Sequence, residues 1–329
     1  MFVYVGVDEA GYGPRLGPLV VGRVTLVIPN LPGYPASEPP RLWQRLSKAV
    51  SRSLGHAKGR LVVADSKKVK TRAAGIRHLE RSCLAFASLA EIAAPDAGDW
   101  LDALGCDWHR EAACPAWYAP GGDRPWQRLP AASTAGERAI DHNVLHATCR
   151  RIGVACPDLA AAVVHERSFN QRLHATRSKA AVSFEHVAEH LNHAWHTHGR
   201  CVPLVVVDRQ GGRSDYRELL AMTFPHAEVA VVEQGAARSR YELRDGERGM
   251  HVWFETEAED RHMPVALASM VSKYTRELLM TRLNDFFTHA IAGLAPTAGY
   301  GVDGNRFLSE VEHHLPRLDL EMRHLRRDA

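Results

Sequence analysis

Two adjacent carboxylates, Asp8 and Glu9, stand between an apolar run and a glycine-rich stretch. The apolar run covers residues 2–7 and a second one covers 19–27, which predicts a strand, a tight turn and another strand. Because neighbouring side chains on a strand point to opposite faces, both acids can share one site only if the chain bends near them. The glycines that follow allow such a bend.

An acid pair at the end of a buried strand is costly unless a cation lies beside it. Mg²⁺ or Mn²⁺ is the usual ion in a site made only of oxygen ligands, so the pair predicts a metal centre. The alternative is an exposed Asp–Glu pair that only opens a turn.

A third acid, Asp208, follows the continuous apolar run 202–207 and precedes Gly211 and Gly212. Such a run is typical of a central strand that is covered on both faces. Ligands of α/β sheets gather at strand ends, so we expect a ligand-binding position at Asp208.

Two more segments carry charged groups at element boundaries. A short apolar strand runs into residues 65–68, Asp-Ser-Lys-Lys, where Ser66 can cap the next helix and the lysines can meet phosphate; a surface capping turn is the alternative. Glu259 and Asp260 precede Pro264 and a long apolar-faced run. This pattern marks a helix start with carboxylates at its positive end.

The surrounding sequence predicts the elements that position these residues. Helical spacing is found at 42–54, 72–89, 139–152 and 170–195, and strand patterns at 228–232 and 249–255. Residues 95–140 contain four tryptophans and several prolines but little periodicity, and we interpret them as an irregular insertion on one catalytic domain spanning 1–329. Its tryptophans favour packing, with base stacking as the alternative. A C-terminal helical segment is predicted from about residue 304.

Composition limits the class of protein without deciding it. The 329 residues are 45% apolar and 24% charged, an ordinary profile for a globular protein. We expect no membrane span and no signal peptide, and therefore a cytoplasmic location. A net charge of +3 neither requires nor excludes a nucleic-acid partner, since local patches matter more.

Taken in order, five segments resemble the motifs of the type 2 ribonucleases H, ribonuclease HII and HIII. Residues 8–18 resemble Asp-Glu-Ala-Gly-Arg/Lys-Gly-Pro-x-x-Gly-Pro, 65–68 match Asp-Ser-Lys-Lys, and 202–208 resemble a hydrophobic strand that ends on aspartate. Residues 268–277 resemble Ala-Ser-Ile-x-Ala-Lys-x-x-Arg-Asp, and 299–300 resemble the end of Lys-Gly-Tyr. The resemblance implies a ribonuclease H-like α/β fold, in which a mixed central β-sheet is flanked by helices.

The resemblance also implies a set of catalytic acids that bind Mg²⁺ or Mn²⁺. Asp8, Glu9 and Asp208 match its first three carboxylates. Counting back from the helix without a gap makes Glu259 the fourth, whereas alignment on the proline makes it Asp260, which we prefer because the family uses aspartate there. Two metal ions would then activate water and stabilise the leaving oxygen of a phosphodiester.

Substrate contacts follow from the same motifs. In the family, backbone groups of the glycine turn read the ribose 2′-hydroxyl, a basic residue of that turn meets a phosphate, and a tyrosine packs on the sugar. Tyr12 stands here in place of the basic residue, with Arg15 as a candidate substitute. The candidate substrate-binding residues are Gly11, Tyr12, Gly13, Arg15, Ser66, Lys67, Lys68 and Tyr300.

The function implied is a divalent-metal-dependent endonuclease that hydrolyses the RNA strand of RNA–DNA hybrids or ribonucleotides embedded in DNA. Its partner would be nucleic acid, and we predict no protein partner. Two alternatives remain: a nuclease of the same fold with another nucleic-acid substrate, and a non-catalytic nucleic-acid-binding relative.

Overall fold

A computed structural model describes residues 1–29, 39–106, 114–119, 124–209 and 212–328. Within them, a mixed β-sheet is covered by helices on both faces. The strands are β1 (Phe2–Ala10), β2 (Leu19–Ile28), β3 (Val50–Ser51), β4 (Leu61–Val62), β5 (Ala155–Val164), β6 (Leu204–Asp208), β7 (Glu228–Gln234), β8 (Arg238–Asp245) and β9 (Arg248–Glu255). The helices are α1 (Leu42–Arg45), α2 (Ser66–Val69), α3 (Arg77–Leu89), α4 (Ala97–Ala103), α5 (Ala135–Ile152), α6 (Glu166–Thr176), α7 (Lys179–His198), α8 (Arg217–Thr223), α9 (Met263–Ala290), α10 (Gly301–Glu312) and α11 (Met322–Leu325).

The central sheet has seven strands in the order β5-β2-β1-β6-β9-β8-β7. Strand β1 pairs antiparallel with β2 and parallel with β6, and Val7 lies opposite Val207 in the parallel register. The residues that follow this pair, Asp8 and Asp208, therefore lie next to each other at the C-terminal ends of these two central strands. The mixed sheet with helices on both sides confirms the predicted fold class.

Successive side chains of β1 point alternately into two hydrophobic cores. Val5 and Val7 face one core, where α6, α7 and α8 contribute side chains such as Phe169 and Leu220. Tyr4 faces the other core, which α3, α5, α9 and α10 share. A strand buried on both faces needs apolar residues throughout, as β1 has up to its acids.

Helix α9 lies unusually close to the sheet because two glycines face it. A Cβ added at Gly6 would lie 2.1 Å from the carbonyl carbon of Pro264, and one at Gly22 would lie 2.4 Å from Ser272 Oγ. The absence of these side chains lets the first turns of α9 pack directly against β1 and β2, close to Asp8.

The tryptophan-rich segment packs on the same helix. Trp100 is buried and its Nε1 donates to Thr275 Oγ1 at 3.0 Å, and the buried Trp117 ring lies 6.0 Å from that of Phe287. Burial of these two rings supports packing over base stacking. Trp108 lies outside the described residues, and the interpretation of 95–140 as an insertion on a single domain stays a prediction.

Several predicted elements differ from the structure. The helix expected at 42–54 ends early, because Val50 and Ser51 pair with β4 instead. The helix expected at 170–195 is two helices, since Arg177 adopts a left-handed conformation and Ser178 caps α7 by accepting the Ala181 N–H at 3.2 Å. The C-terminal helix predicted from about 304 starts at Gly301.

Strands β5 and β8 were not predicted from the sequence. Alanines dominate β5, and arginines and acids alternate with buried Ser239, Tyr241 and Leu243 in β8. Among the residues that the structure describes, no helix is both long and apolar enough to cross a membrane.

The glycine contact under α9 gives a stability prediction. We expect Gly6→Ala to lower the free energy of unfolding by about 3 kcal/mol, because a methyl group would overlap the backbone of α9. The control is Gly136→Ala on α5, whose Cβ would be 4.0 Å from its nearest neighbour and which should stabilise by up to about 1 kcal/mol. Urea unfolding measures both, and a Gly6→Ala variant as stable as the parent would contradict the close approach.

Candidate active site

A cavity of about 190 Å³ opens where β1 and β6 end. Residues from the glycine turn, from α2, from the turn before α9 and from α9 itself line it. Its lining residues include Asp8, Glu9, Gly11, Tyr12, Gly13, Asp65, Ser66, Lys67, Asp208, Glu259, Ser269, Lys273 and Tyr300. The structure thus brings acids from four separate chain segments together with most of the predicted substrate residues.

Asp8 and Asp208 are held in a poorly solvated, negatively charged setting. Asp8 Oδ1 accepts the Glu9 N–H at 2.7 Å, and Asp208 Oδ1 accepts the Ala258 N–H at 2.9 Å. Burial, then the charges of Glu9 and Glu259, raise the pKa of Asp8 well above its usual range. Burial, then Asp8 and Glu259, raise the pKa of Asp208 to about 9. The two carboxyls cannot both ionise cheaply without a positive charge between them.

Glu259, and not Asp260, faces this cluster. Glu259 interacts with both Asp8 and Asp208, and its buried Oε2 has no hydrogen-bond partner among the described residues. Asp260 is 42% exposed and accepts Lys68 Nζ at 3.0 Å. These positions favour Glu259 over Asp260 as the fourth acid, and the choice between them stays a prediction.

The different orientations of Glu259 and Asp260 follow from the 3₁₀ turn formed by Ala258–Asp260. Successive side chains of such a turn point about 120° apart. When Ala258 is buried against the sheet, Glu259 faces the cavity and Asp260 faces α2. An alignment of motifs carries no information about the direction in which each side chain of this turn points.

The donor set fits a hard divalent cation. Carboxylate oxygens predominate, burial and then neighbouring negative charges raise the pKa values of Asp8 and Asp208, and a buried oxygen of Glu259 lacks a partner among the described residues. Each feature is relieved by an ion such as Mg²⁺ or Mn²⁺. Within the described ranges, no three His, Cys, Asp or Glu side chains already surround one point as ligands. Binding an ion would require these carboxylates to turn toward each other.

The glycine turn beside the acids is fixed by contacts that come from distant parts of the chain. Gly11 has a φ of 87°, and a Cβ there would lie 2.6 Å from Arg276 Nε. Arg276 is fully buried and donates to the carbonyls of Leu16 at 2.9 Å and Pro18 at 3.3 Å. The role of Arg276, which the sequence left open, is therefore to anchor the turn.

Two further anchors, Glu166 and Arg327, had no sequence signal beyond their charge. Glu166 Oε1 accepts the Gly17 N–H at 3.0 Å and the Tyr118 hydroxyl at 2.8 Å, and burial raises the pKa of Glu166 to about 7. Arg327 is buried and donates to the carbonyls of Gly11 and Tyr12. Arg327, in the basic stretch 323–327, is thus an internal anchor of the turn.

The remaining predicted substrate residues divide into two groups. Lys67, Ser66 and Tyr300 line the cavity, and the hydroxyls of Ser66 and Ser269 are hydrogen bonded at 3.0 Å. Asp65, and not Ser66, caps α2 by accepting the Lys67 N–H at 2.9 Å.

Arg15 and Lys68 make other contacts. Arg15 is exposed and reaches Asn305 on α10 at 3.5 Å, and Lys68 is paired with Asp260. Two cationic side chains of α9 lie near the exposed ring of Tyr300. Lys273 Nζ is 5.4 Å and Arg276 Cζ is 5.0 Å from the ring centroid. This arrangement holds an aromatic face at the mouth of the cavity.

A comparison with models of protein families finds no match, and a comparison with curated proteins finds none either. Solved structures do match. They include ribonuclease HII from Archaeoglobus fulgidus in complex with PCNA (15% identity, 99% of this chain and 94% of that one, TM-score 0.42) and ribonuclease H2 from Pyrococcus horikoshii OT3 (15%, 98% and 92%, 0.39). Another is Bst ribonuclease HIII in complex with Mn²⁺ (13%, 99% and 66%, 0.43).

The chain is similar to type 2 ribonucleases H. These are the enzymes whose motifs the sequence resembles, and the similarity extends over nearly the whole chain at low identity. Because the superpositions are loose, the case for a function rests on the residues of the cavity.

The raised pKa of Asp208 predicts how stability changes with pH. The ionised form is disfavoured by folding, so without divalent ions the free energy of unfolding should fall as pH rises from the ordinary value of 3.8 towards about 9. Asp208→Asn should flatten this fall, and saturating Mg²⁺ should flatten it in the parent. Urea unfolding in EDTA across this range provides the measurement. The exposed Asp245→Asn is the control, and a slope unchanged by Asp208→Asn would refute the assignment.

Proposed function

We propose that this protein is a divalent-metal-dependent endonuclease that hydrolyses the RNA strand of RNA–DNA hybrids or ribonucleotides embedded in DNA. The observation that carries the proposal is that Asp8, Asp208 and Glu259, from three chain segments, line one cavity together with Gly11 and Gly13 of the glycine turn. Among the described residues, no ion pair joins Asp8, Asp208 or Glu259 to a basic side chain, and such acids are suited to phosphodiester hydrolysis at a metal centre.

Asp8, Glu9, Asp208 and Glu259 would hold the metal. When bound, one or two divalent ions supply activation of the attacking water and stabilisation of the leaving oxygen. Burial and neighbouring charges raise the pKa values of Asp8 and Asp208, so a bound divalent ion would favour the ionised forms of these two carboxyls. Asp208 is further aimed by its bond from the Ala258 N–H.

The substrate backbone would be bound by groups around the acids. Burial, then Glu9, raise the pKa of Tyr12, so its neutral phenol does not replace the positive charge that the family has at this position. Lys67 and Lys273, which line the same cavity, are the cations that would meet the phosphates. Tyr300 presents its ring at the mouth, where a sugar would pack.

Ribose recognition belongs to the turn between β1 and β2. A 2′-hydroxyl distinguishes RNA from DNA, and the backbone of Gly11, Tyr12 and Gly13 lines the cavity next to the acids. We expect nucleic acid as the partner, propose no protein partner, and keep a cytoplasmic location as a prediction.

The decisive test is cleavage of three labelled duplexes with Mg²⁺, with Mn²⁺ and with EDTA. One is DNA with a single ribonucleotide, one is an RNA–DNA hybrid and one is all DNA. We expect metal-dependent cutting only where ribose is present, and its loss in Asp8→Asn and Asp208→Asn with folding retained. Ribose-independent cutting would instead favour a nuclease with another substrate, and binding without turnover would favour a non-catalytic relative.

A matched pair of variants tests the identity of the fourth acid. Glu259→Gln should reduce kcat at least about 100-fold, because it removes a ligand from the metal centre. Asp260→Asn should change kcat by no more than about threefold, because it breaks only the exposed contact with Lys68. Equal activities in the two variants, or the reverse order, would restore Asp260 to the site.

A further inference from the structure

The end of the chain inserts one side chain beneath the glycine turn. Arg327 is 1% exposed, and its guanidinium donates to the carbonyl oxygens of Gly11 and of Tyr12, the latter at 3.3 Å. Its own backbone N–H donates to the Arg15 carbonyl at 2.8 Å. Three carbonyls of the turn are therefore bound by one residue more than 300 positions away.

Hydrogen bonds to Asn170 hold residues 323–328 in place and so position the Arg327 side chain. Asn170 on α6 donates through Nδ2 to the carbonyls of Arg323 at 3.1 Å and Arg326 at 2.8 Å, and its Oδ1 accepts the Asp328 N–H at 2.8 Å. Leu325 is fully buried. Asn170 and Leu325 thus determine where Arg327 enters the core.

The charge of Arg327 is retained despite its burial. Its guanidinium carbon lies 3.8 Å from the ring centroid of Phe169, a favourable cation–π distance. Burial, then Arg276, lower the pKa of Arg327 to about 10, while Glu166 opposes the shift. The residue is therefore a cation at neutral pH, and a buried cation is costly unless its hydrogen bonds are needed.

These bonds determine which way two peptide groups face. In a trans peptide the C=O and the N–H point in opposite directions. Since the carbonyls of Gly11 and Tyr12 point to Arg327, the N–H groups of Tyr12 and Gly13 point away from it. Gly11, Tyr12 and Gly13 line the acid cavity, and Arg327 is not among its lining residues. In the described part of the chain neither N–H has an intramolecular acceptor, and a Cβ at Gly13 would meet nothing within 4 Å.

We propose that Arg327 is a positioning residue for substrate binding: it holds two peptides of the glycine turn so that the N–H groups of Tyr12 and Gly13 donate to an oxygen of the bound nucleotide. The bond to each carbonyl also polarises the peptide and strengthens its N–H as a donor. The inference rests on the proposed function, because the acceptor oxygen, a ribose 2′-hydroxyl or a phosphate oxygen, belongs to the nucleic-acid substrate.

The test compares three variants of the full-length protein. Arg327→Met removes the donors, Arg327→Lys keeps the charge with a single point donor in place of the planar fork, and Arg326→Met is the control, because that side chain is exposed. On the single-ribonucleotide duplex we expect KM to rise about tenfold in Arg327→Met and about threefold in Arg327→Lys. We expect kcat to stay within about twofold in both, and Arg326→Met to match the parent.

Binding to a ribose-containing duplex and to an all-DNA duplex of the same sequence separates the two acceptors. Both affinities should fall together if the acceptor is a phosphate oxygen, whereas only the affinity for the ribose-containing duplex should fall if it is the 2′-hydroxyl. The proposal is overturned if neither affinity changes in Arg327→Met.

Hydrogen exchange of the free protein keeps this inference separate from the proposed function. The Arg15 amide, which donates to the Gly299 carbonyl at 3.2 Å, should exchange about tenfold faster in Arg327→Met than in the parent or in Arg326→Met. If the parent cleaves none of the duplexes, the proposed function fails, and the exchange data still decide whether Arg327 holds the turn. Uniformly faster exchange, or unchanged exchange with unchanged KM, would overturn the proposal. Should Arg327→Met fail to fold, Asn170→Ala, which releases the tail, must produce the same local change.

Discussion

The repulsion between carboxylates that are buried at the C-terminal ends of the central strands β1 and β6 constrains the rest of this structure. The parallel pairing of β1 with β6 brings Asp8 and Asp208 together, and the turn before α9 adds Glu259. Apolar strands and a tightly packed helix keep water away, so the cost of ionising these groups is high. Protons or a divalent ion can relieve this cost at Asp8 and Asp208.

Helix α9 connects this acid cluster to the groups that would bind substrate. Its first turns lie on Gly6 and Gly22, which fixes the position of Glu259 relative to Asp8. One helical turn after another then contributes Ser269 to the acids, Lys273 to the cavity and Arg276 to the glycine turn. Because one rigid element carries these groups, their spacing is set by helix geometry and is independent of the flanking loops.

Local patterns were sufficient to predict much of the site. Strand ends at Asp8 and Asp208 follow from apolar runs, and the start of α9 follows from acids before a proline. The choice between Glu259 and Asp260 depended on the rotation of a 3₁₀ turn, which a motif alignment does not encode. Glu166 and Arg327 could not be predicted at all, since a lone charged residue acquires its role only when the tertiary structure brings it to the turn. Strand β8 could have been predicted, because its alternation has a period of two.

The glycine turn illustrates why such remote anchors are needed. A buried turn must satisfy its backbone groups, yet its small residues, Gly11 and Gly13 among them, offer no side chains for the purpose. Arg276 and Arg327 donate to carbonyls of the turn, and Glu166 accepts the Gly17 N–H. The donors that remain open are then those that face the acids. For the two peptides that Arg327 binds, anchoring the carbonyl and leaving the N–H open to a ligand are consequently the same structural arrangement.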